Sequence, residues 1–470
     1  MSKMKTSVLA GAFICTPLVL GMQSAMAQPV PGGTLDPLTI PKYVTPLVIP
    51  PVLHDDGAAP MNVSVALRQI TQQVLPAGFP ATPLWAYGDP ANPATFNNPG
   101  FTIEVTKDVP TTVTWRNELV DATGAFLPHI IQDAAGNPIV DQTLHWAAPN
   151  QDCLDGIPRT DCRGASDQPY TGPIPMVTHV HGAHVGPISD GYPEAWWLPD
   201  ANNIPAGYAT TGTFYDTTAP AAPGTAVYSY TNDQPTTTLW YHDHSLGMTR
   251  LNVYAAGAGF WMIRDALDGE TGLLAGVLPG PAPKAGDSAA ALNTLGDPVR
   301  GAIREIPIAI QPKSFNANGT QYYPADRAFF EGLGTGGIFA DNTDVNIPFL
   351  PQSSSDIAPV WNPEAFFNTM VVNGSTWPVM EVAPEQYRLR FVNASDSRFL
   401  NLELHQVNGQ GTKLREIPFY QIGSEQGLLP AVVRIESGFA TTLPGDGTDV
   451  NPKSRDCLLP NGKPRKNCVP

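Results

Sequence analysis

The sequence predicts an all-β protein, built as a β-sandwich or a Greek-key barrel. Composition supports this class: 42% of the 470 residues are hydrophobic, only 14% are charged, and 50 prolines and 43 glycines are spread along the chain. Short apolar runs separated by Gly, Pro, Asn and Asp are typical of strands joined by turns. Seven such runs before residue 265 are predicted strands: 61–73, 101–106, 111–115, 176–181, 226–230, 237–242 and 251–264.

The length allows two or three domains, each with its own core. Residues 61–265 are predicted as a first β domain, residues 266–300 as an Ala/Gly/Pro-rich linker, and residues 301–470 as a second β domain. The second series of strands begins at "REIPIAI", near Arg304, and apolar alternation stops after Phe439. We therefore expect the second domain to be incomplete.

The N-terminal residues indicate export. Lys3 and Lys5 precede an apolar run and then Ala25-Met26-Ala27, which is the pattern of a secretory signal peptide over residues 1–27. Residues 28–60, which are rich in proline, are predicted as an extended arm that lies across a domain surface. The mature protein is therefore predicted to be periplasmic or secreted.

Charge and hydropathy argue against two classes of partner. The formal net charge is −16, and an acidic surface gives no electrostatic support to binding nucleic acid or an anionic membrane. No segment after the signal sequence has the apolar length of a membrane span. We expect neither nucleic acid nor a membrane as a partner.

The cysteines outside the signal sequence form two local pairs, Cys153 with Cys162 and Cys457 with Cys468. In an oxidising compartment, two small disulfides that close loops are the favoured interpretation. A four-thiolate zinc site is the alternative, although neither pair has the two-residue spacing of a zinc knuckle.

Five of the nine histidines lie in two short windows. His179, His181 and His184 belong to "THVHGAHVGPISDGYPEAWW", and His242 and His244 belong to "TLWYHDHSLGMTR". Residues i and i+2 of a strand face the same side, so each His-x-His presents two imidazoles together. One such motif alone could be two polar residues on a solvated face or part of a zinc site. Two in one predicted β domain favour a four-imidazole site, which suits copper, zinc, iron or nickel.

The flanking residues carry a resemblance. "HVHGAHVGPISDGYPEAW" and "LWYHDHSLGMTRLNVYAAGAGFWMI" resemble the first two copper-binding motifs of the multicopper oxidases, specifically the bacterial spore-coat laccases. "PLWAYGDPANPATFNNPGFTIEV", "VVNGSTWPVMEVAPEQYRLRFVNASDSRFLNLEL" and "QIGSEQGLLP" extend the resemblance over residues 39 to 435. It implies tandem cupredoxin-like Greek-key domains and copper as cofactor. It also implies an oxidase that couples the oxidation of phenols, aromatics or metal ions to the reduction of dioxygen to water.

The resemblance also implies roles for individual residues. His179 matches a ligand of the type 2 copper, and His181, His242 and His244 match ligands of the type 3 copper pair. Asp190 matches an acidic catalytic residue that assists proton delivery, although "SDGYPE" is equally a tight-turn sequence.

Other histidines and aromatic residues receive plainer interpretations. His184 has no counterpart among the family's copper ligands and is interpreted as a polar neighbour or a hydrogen-bond donor near them. His54, His129, His145 and His405 are isolated and are interpreted as ordinary surface or core histidines. The remaining aromatics of these segments are predicted to lie in the sandwich core: Trp196, Trp197, Trp240, Phe260 and Trp261.

The type 1 copper ligands of the family are absent from the sequence. In the family the cysteine of a His-Cys-His motif binds that copper, but none of the cysteines here is flanked by histidine. The late His-Pro-x-His-x-His motif is also absent. We therefore expect the chain to correspond to the N-terminal part of such an oxidase, and to act on dioxygen and a small phenolic or metal-ion substrate only when a C-terminal domain or partner chain completes it.

Two rival functions remain. The chain could be an exported copper-binding protein without catalytic activity, holding copper between the two His-x-His motifs. It could also be a zinc-dependent hydrolase or lyase with an unrelated His-x-His site. Oxygen uptake separates the oxidase from the first rival, and activity regained with zinc alone would support the second.

Overall fold

The structure is a computed structural model that describes residues 33–54, 60–132, 139–140, 170–206, 208–268, 272–323, 367–425 and 427–435. The predicted signal peptide, all the cysteines and His145 lie outside the described residues. Strands dominate the described part, and the predicted all-β class is confirmed. None of its helices is long and apolar enough to cross a bilayer.

The strands and helices follow one another along the chain as two groups. The first group consists of β1 (Val52–His54), β2 (Met61–Gln72), β3 (Thr82–Gly88), β4 (Gly100–Thr106), β5 (Thr111–Asn117), β6 (Thr178–His181), β7 (Thr225–Tyr230), β8 (Thr237–Asp243), α1 (Thr249–Ala256) and β9 (Gly259–Arg264). The second consists of α2 (Ala289–Asn293), α3 (Pro298–Ala302), β10 (Glu305–Ile310), β11 (Ser314–Phe315), β12 (Gln321–Tyr322), β13 (Val371–Val372), β14 (Ser375–Thr376), β15 (Arg388–Asn393), β16 (His405–Val407), β17 (Lys413–Glu416), β18 (Phe419–Ser424) and β19 (Gly427–Ile435).

The first group forms two sheets that pack face to face. One has the strand order β1-β4-β9-β8-β6 and the other β3-β2-β5-β7. Trp85, Tyr87, Trp115, Tyr228 and Trp261 fill the space between them and are fully buried. The sheets of the described residues remain open, so of the predicted alternatives the sandwich is the one found.

Strand β9 lies between two layers, one on each face. All six of its residues are buried, as expected when both faces of a strand are covered. Trp261 and Ile263 point into the sandwich core. Phe260 and Met262 point the other way, into a small apolar cluster that they share with residues of the second group. The contact between the two groups of strands therefore begins at β9.

The second group is organised around a four-stranded sheet, β14-β13-β10-β15. Strand β15 alternates between buried and exposed residues, so Arg388, Arg390 and Val392 face inward while Leu389 and Phe391 face outward. The N-terminal arm crosses this group before it reaches β1: Leu47 donates its backbone N–H to the Val379 carbonyl at 2.8 Å.

A balanced set of buried charges joins the two groups of strands. Its members are Arg264, Arg388, Arg390, Glu104, Asp268 and Glu305. Arg388 contacts Asp268 at 2.6 Å, and Arg390 contacts Glu305 at 2.5 Å. Burial raises the pKa of Asp268, but the hydrogen bond from Arg388 and the nearby charges of Arg390 and Arg264 outweigh it and lower that pKa well below its usual range. Three cations therefore meet three anions in this interface.

One predicted element is wrong. Residues 251–264, predicted as a single strand, form helix α1 and then strand β9. Leu251, Tyr254 and Ala255 lie three and four positions apart, so a helix turns all three into the core. Gly257 ends the helix with a φ of +70°, and a side chain there would collide with Asn98.

Candidate metal centre

The two His-x-His motifs lie on neighbouring antiparallel strands. Strand β6 pairs with β8 in a register that sets His179 opposite His242 and His181 opposite Trp240. Directly opposed residues on a sheet face are close neighbours. Strand pairing alone therefore gathers histidines that are about sixty positions apart in the sequence into one patch.

The ring nitrogens of three histidines are close enough to share an ion. Ligand atoms of His179, His181 and His242 all lie within 4.8 Å of one another. His181 Nδ1 is 3.4 Å from His242 Nε2. The His244 ring lies 5.2 Å from the His179 ring and 5.8 Å from the His242 ring, between centroids. All four sequence-predicted histidines therefore border one patch, with three of them in a tight group.

Backbone carbonyls orient two of these rings. His242 Nδ1 lies 2.7 Å from the Asp243 carbonyl oxygen, and His179 Nδ1 lies 2.5 Å from the Asp190 carbonyl oxygen. A carbonyl oxygen only accepts hydrogen bonds, so Nδ1 carries the proton in both rings. Each Nε2 then keeps its lone pair, which is the form in which imidazole binds a metal.

Burial keeps two of the rings uncharged. It lowers the pKa of His179, and it lowers the pKa of His242 to about 3. Both imidazoles are therefore neutral at neutral pH. A metal ion does not have to displace a proton from either ring.

Asp190 lies beside His179, where its backbone belongs to a turn and its carboxylate approaches the imidazole. It closes the short helix Pro187–Ser189, and its Oδ1 is 3.5 Å from His179 Nδ1. Gly191 makes this approach possible, because its φ is +79° and an added Cβ would overlap the Thr178 carbonyl. The Asp190 side chain keeps about a third of its surface exposed, so it connects the patch with solvent.

Asp243, which the sequence patterns did not single out, fixes the two motifs to each other. Its buried carboxylate accepts hydrogen bonds from Val177 N, from Ser245 N and Oγ, and from Asn252 Nδ2, at 2.9–3.1 Å. Val177 immediately precedes β6, and its carbonyl in turn accepts the His244 N–H at 2.8 Å. The sequence does hold one signal for this role: Asp243 stands between His242 and His244, and because side chains alternate along a strand, its side chain points the opposite way, into the core.

His129 extends this buried network, and no sequence pattern indicates this role. Its Nδ1 accepts from Ile131 N, so its Nε2 donates to Asn252 Oδ1 at 3.2 Å. It is a core histidine with both ring nitrogens bonded, which agrees with the plain interpretation of an isolated histidine. His405 contacts Glu403 at 2.8 Å, far along the chain from the patch.

His184, the third histidine of the first window, makes its contacts outside the group formed by His179, His181 and His242. His184 is exposed; its ring contacts Asp233 at 2.9 Å, its N–H donates to Gln234, and its carbonyl accepts from Thr231. It is thus a polar neighbour in sequence, held by a different loop.

The aromatic residues divide into core and border. The predicted core positions Trp196, Trp197, Phe260 and Trp261 are buried. Trp240 is only half buried, and it stacks on two candidate ligands, with ring centroids 5.1 Å from His181 and 4.3 Å from His242. Trp240 therefore borders the patch instead of filling the sandwich.

The donor set fits a borderline or soft metal ion. Its atoms are imidazole nitrogens, which suit copper and zinc and not magnesium or calcium. Within the described residues, His244 Nδ1 is buried without a hydrogen-bond partner. Such an atom is rarely left unpaired in a folded protein. A metal ion bound at the patch would give the His244 ring a partner.

Comparisons with known proteins point to one family. A family model described as "Multicopper oxidase" matches residues 205–268, which include β8, His242 and His244. The laccase of Bacillus stratosphericus is 30% identical over 402 residues, which are 85% of this chain and 57% of that protein. The laccase of Bacillus subtilis (strain 168) gives the same percentages over 403 residues.

A solved structure also aligns with this chain. The McoA multicopper oxidase of Aquifex aeolicus aligns with a TM-score of 0.45 and 18% identity, over 83% of this chain and 53% of the other. The chain thus spans little more than half the length of these relatives.

Proposed function

The chain belongs to the multicopper oxidase family, and on that premise we propose that His179, His181, His242 and His244 bind copper for a laccase-like reaction. In that reaction phenols, other aromatics or metal ions are oxidised while dioxygen is reduced to water. The observation that supports this most strongly is the register of β6 and β8, which brings three imidazoles within 4.8 Å of one another.

The proposed division of labour among the histidines follows the sequence resemblance. His179 would hold a type 2 copper, and His181, His242 and His244 would contribute to a type 3 pair. Two contacts fit this division: His179 is anchored separately, on Asp190, while the His181 and His242 nitrogens approach each other at 3.4 Å.

Copper, when bound, supplies the electron transfer to dioxygen that no side chain of this patch can supply. The chain's own residues hold and orient the ligands. The Asp190 and Asp243 carbonyls fix two imidazoles with Nε2 unprotonated. We assign to the partly exposed Asp190 carboxylate the catalytic task of carrying protons between solvent and the patch, because its Oδ1 lies 3.5 Å from His179 Nδ1.

The step that takes electrons from the reducing substrate needs residues other than these. No cysteine of the 470 residues is flanked by histidine, so the type 1 site that takes electrons from a substrate is not among the motifs found. The proposal therefore includes a further domain or a partner chain that supplies it. Export to the periplasm or beyond is part of the same proposal and is supported by the signal-like pattern of residues 1–27.

The same missing motif favours a second candidate function. A chain that has these histidines but no type 1 motif can bind copper without reducing dioxygen. In that case the protein is an exported copper-binding protein. Oxygen uptake by the copper-loaded chain separates the two candidates, since only the oxidase consumes oxygen with a phenolic or metal-ion reductant.

Copper retention tests the shared premise. We expect the full chain, loaded with Cu²⁺ and then desalted, to keep copper as measured by mass spectrometry, and His242→Ala to lose most of it. The matched control is His184→Ala, which removes an exposed imidazole of the same region. Equal copper in the wild type and both variants would refute this ligand set, as would a clear preference for zinc under competition.

A further inference from the structure

Strand β8 carries a continuous face from the second group of strands to the histidine patch. Alternation along the strand places Thr238, Trp240 and His242 on that face. Arg390 donates to Thr238 Oγ1 at 2.7 Å. Trp240, the next residue on the face, packs against an apolar cluster formed by Phe260, Met262, Ala309, Val392 and Ala394. The second group of strands therefore covers β8 up to the residue that adjoins the patch.

His181 depends on Trp240 more than the other rings do. His179 and His242 each have a backbone carbonyl as anchor. Among the described residues, the hydrogen-bond contact of His181 is with His242 alone. Its ring contacts are a near-parallel stack on Trp240, with a centroid distance of 5.1 Å and an interplanar angle of 19°, and two tilted or edge-on contacts with the His179 and His242 rings, each at 5.6 Å. Because His181 is exposed at the edge of its sheet, the indole of Trp240 is the one described non-ligand side chain that stacks on its ring and restricts its rotamers.

We propose that Trp240 is a positioning residue through which the second group of strands holds the imidazoles of His181 and His242 in their metal-binding orientation. The inference rests on the proposed function, because it assumes that these imidazoles bind copper. Its physical basis is that one indole ring contacts both imidazoles while Ala309, Val392 and Ala394, from β10 and the end of β15, belong to the cluster behind it.

The first part of the test removes the stack. Trp240→Leu keeps an apolar side chain against the cluster and loses the ring, whereas Trp240→Phe keeps a smaller ring. An aromatic pair of this kind corresponds to about a two- to ten-fold change in an equilibrium constant. We expect Trp240→Leu to weaken Cu²⁺ affinity by that factor, as measured by competition with a chelator, and Trp240→Phe to weaken it less. Trp377→Leu, which changes a tryptophan stacked with Lys42 in another part of the molecule, is the control.

The second part changes the support without touching the patch. Val392 is 7% exposed and belongs to the cluster behind Trp240, whereas its neighbour Phe391 is 46% exposed on the opposite face of β15. We expect Val392→Asp to change the electron paramagnetic resonance spectrum of bound Cu²⁺, and Phe391→Asp to leave it as in the wild type. Val392→Ala, which removes two methyl groups and adds no charge, repeats the test if Val392→Asp does not fold.

The outcomes are distinguishable. If the wild type holds no copper, the proposed function fails and this inference fails with it. If the wild type holds copper and Trp240→Leu has the same affinity and spectrum, the positioning role is refuted while the ligand set stands. If Trp240→Leu changes both but neither Val392 variant changes the spectrum, the role of the second group of strands is refuted.

Discussion

At the scale of single residues, the site depends on Asp243 as much as on the histidines. This carboxylate is buried between the two motifs and accepts hydrogen bonds from the segment before β6, from the residue after His244 and from Asn252. A buried acceptor with several donors is costly to alter, because each donor left without a partner loses its hydrogen bond with water as well.

Asp243→Asn is therefore expected to destabilise the protein. The amide replaces one carboxylate oxygen by an N–H donor, so the two donors at that oxygen lose their acceptor: Val177 N and Ser245 Oγ if it is Oδ2, Ser245 N and Asn252 Nδ2 if it is Oδ1. We expect the free energy of unfolding, measured in urea, to fall by about 1–3 kcal/mol. We also expect the variant to retain less copper than the wild type. Asp233→Asn, at the exposed contact with His184, is the control and should change stability by less than about 0.5 kcal/mol. No difference between the two variants would contradict this role.

Lys313 gives a second prediction for a single residue. Burial lowers its pKa to about 7 from the usual 10.5, and its Nζ donates to Gln321 Oε1 at 2.7 Å. Between these two values the unfolded chain binds the proton and the folded chain does not, so this residue makes stability rise with pH. Lys313→Met should remove that contribution when unfolding is measured from pH 7.5 to 9.5. If the slopes of the wild type and the variant coincide, Lys313 is charged in the fold.

The sequence could predict the four histidines because strand periodicity makes each His-x-His visible without any tertiary contact. It could not predict that Asp243 would bond to Asn252 and, through it, connect with His129. Asn252 reaches the network only because α1 is a helix, and residues 251–264 read as a continuous apolar strand. Trp240 was expected in the core for a similar reason, since a sequence does not show which face of β8 a second layer covers.

At the scale of elements, the boundary between the two groups of strands combines an apolar cluster with six buried charges. Buried ion pairs add little net stability when complete, but removing one partner leaves an uncompensated charge in a low-dielectric interior. Asp268 is sensitive to this effect, since it contacts both Arg388, at 2.6 Å, and Arg390, at 2.7 Å.

Asp268→Asn is expected to lower the free energy of unfolding by about 3–5 kcal/mol, because two arginines lose a shared anion. Glu385→Gln is the matched control. It breaks the contact of the largely exposed Glu385 with Arg304, and such surface pairs contribute at most about 1 kcal/mol. Urea denaturation measures both variants. A loss for Asp268→Asn no larger than that of the control would show that water, and not the arginines, compensates the charge.

At the scale of the whole molecule, the histidine patch lies where the first sandwich meets the second group of strands. The three histidines closest to one another lie on β6 and β8, and Trp240, which borders the patch, belongs to the contact between the two groups. This arrangement explains why the ligand motifs are local in sequence while their support is not. The chain spans 57% of the laccases of the two Bacillus species, and its described residues hold one group of candidate ligands.

The measurement that tests this account most directly is anomalous scattering at the copper absorption edge from crystals of the copper-loaded chain. The account predicts copper density at the patch, within direct bonding distance of His179 Nε2 and of ring nitrogens of His181 and His242. Copper bound elsewhere, or no anomalous density at the patch in crystals that contain copper, would contradict the central claim that β6 and β8 form a copper site.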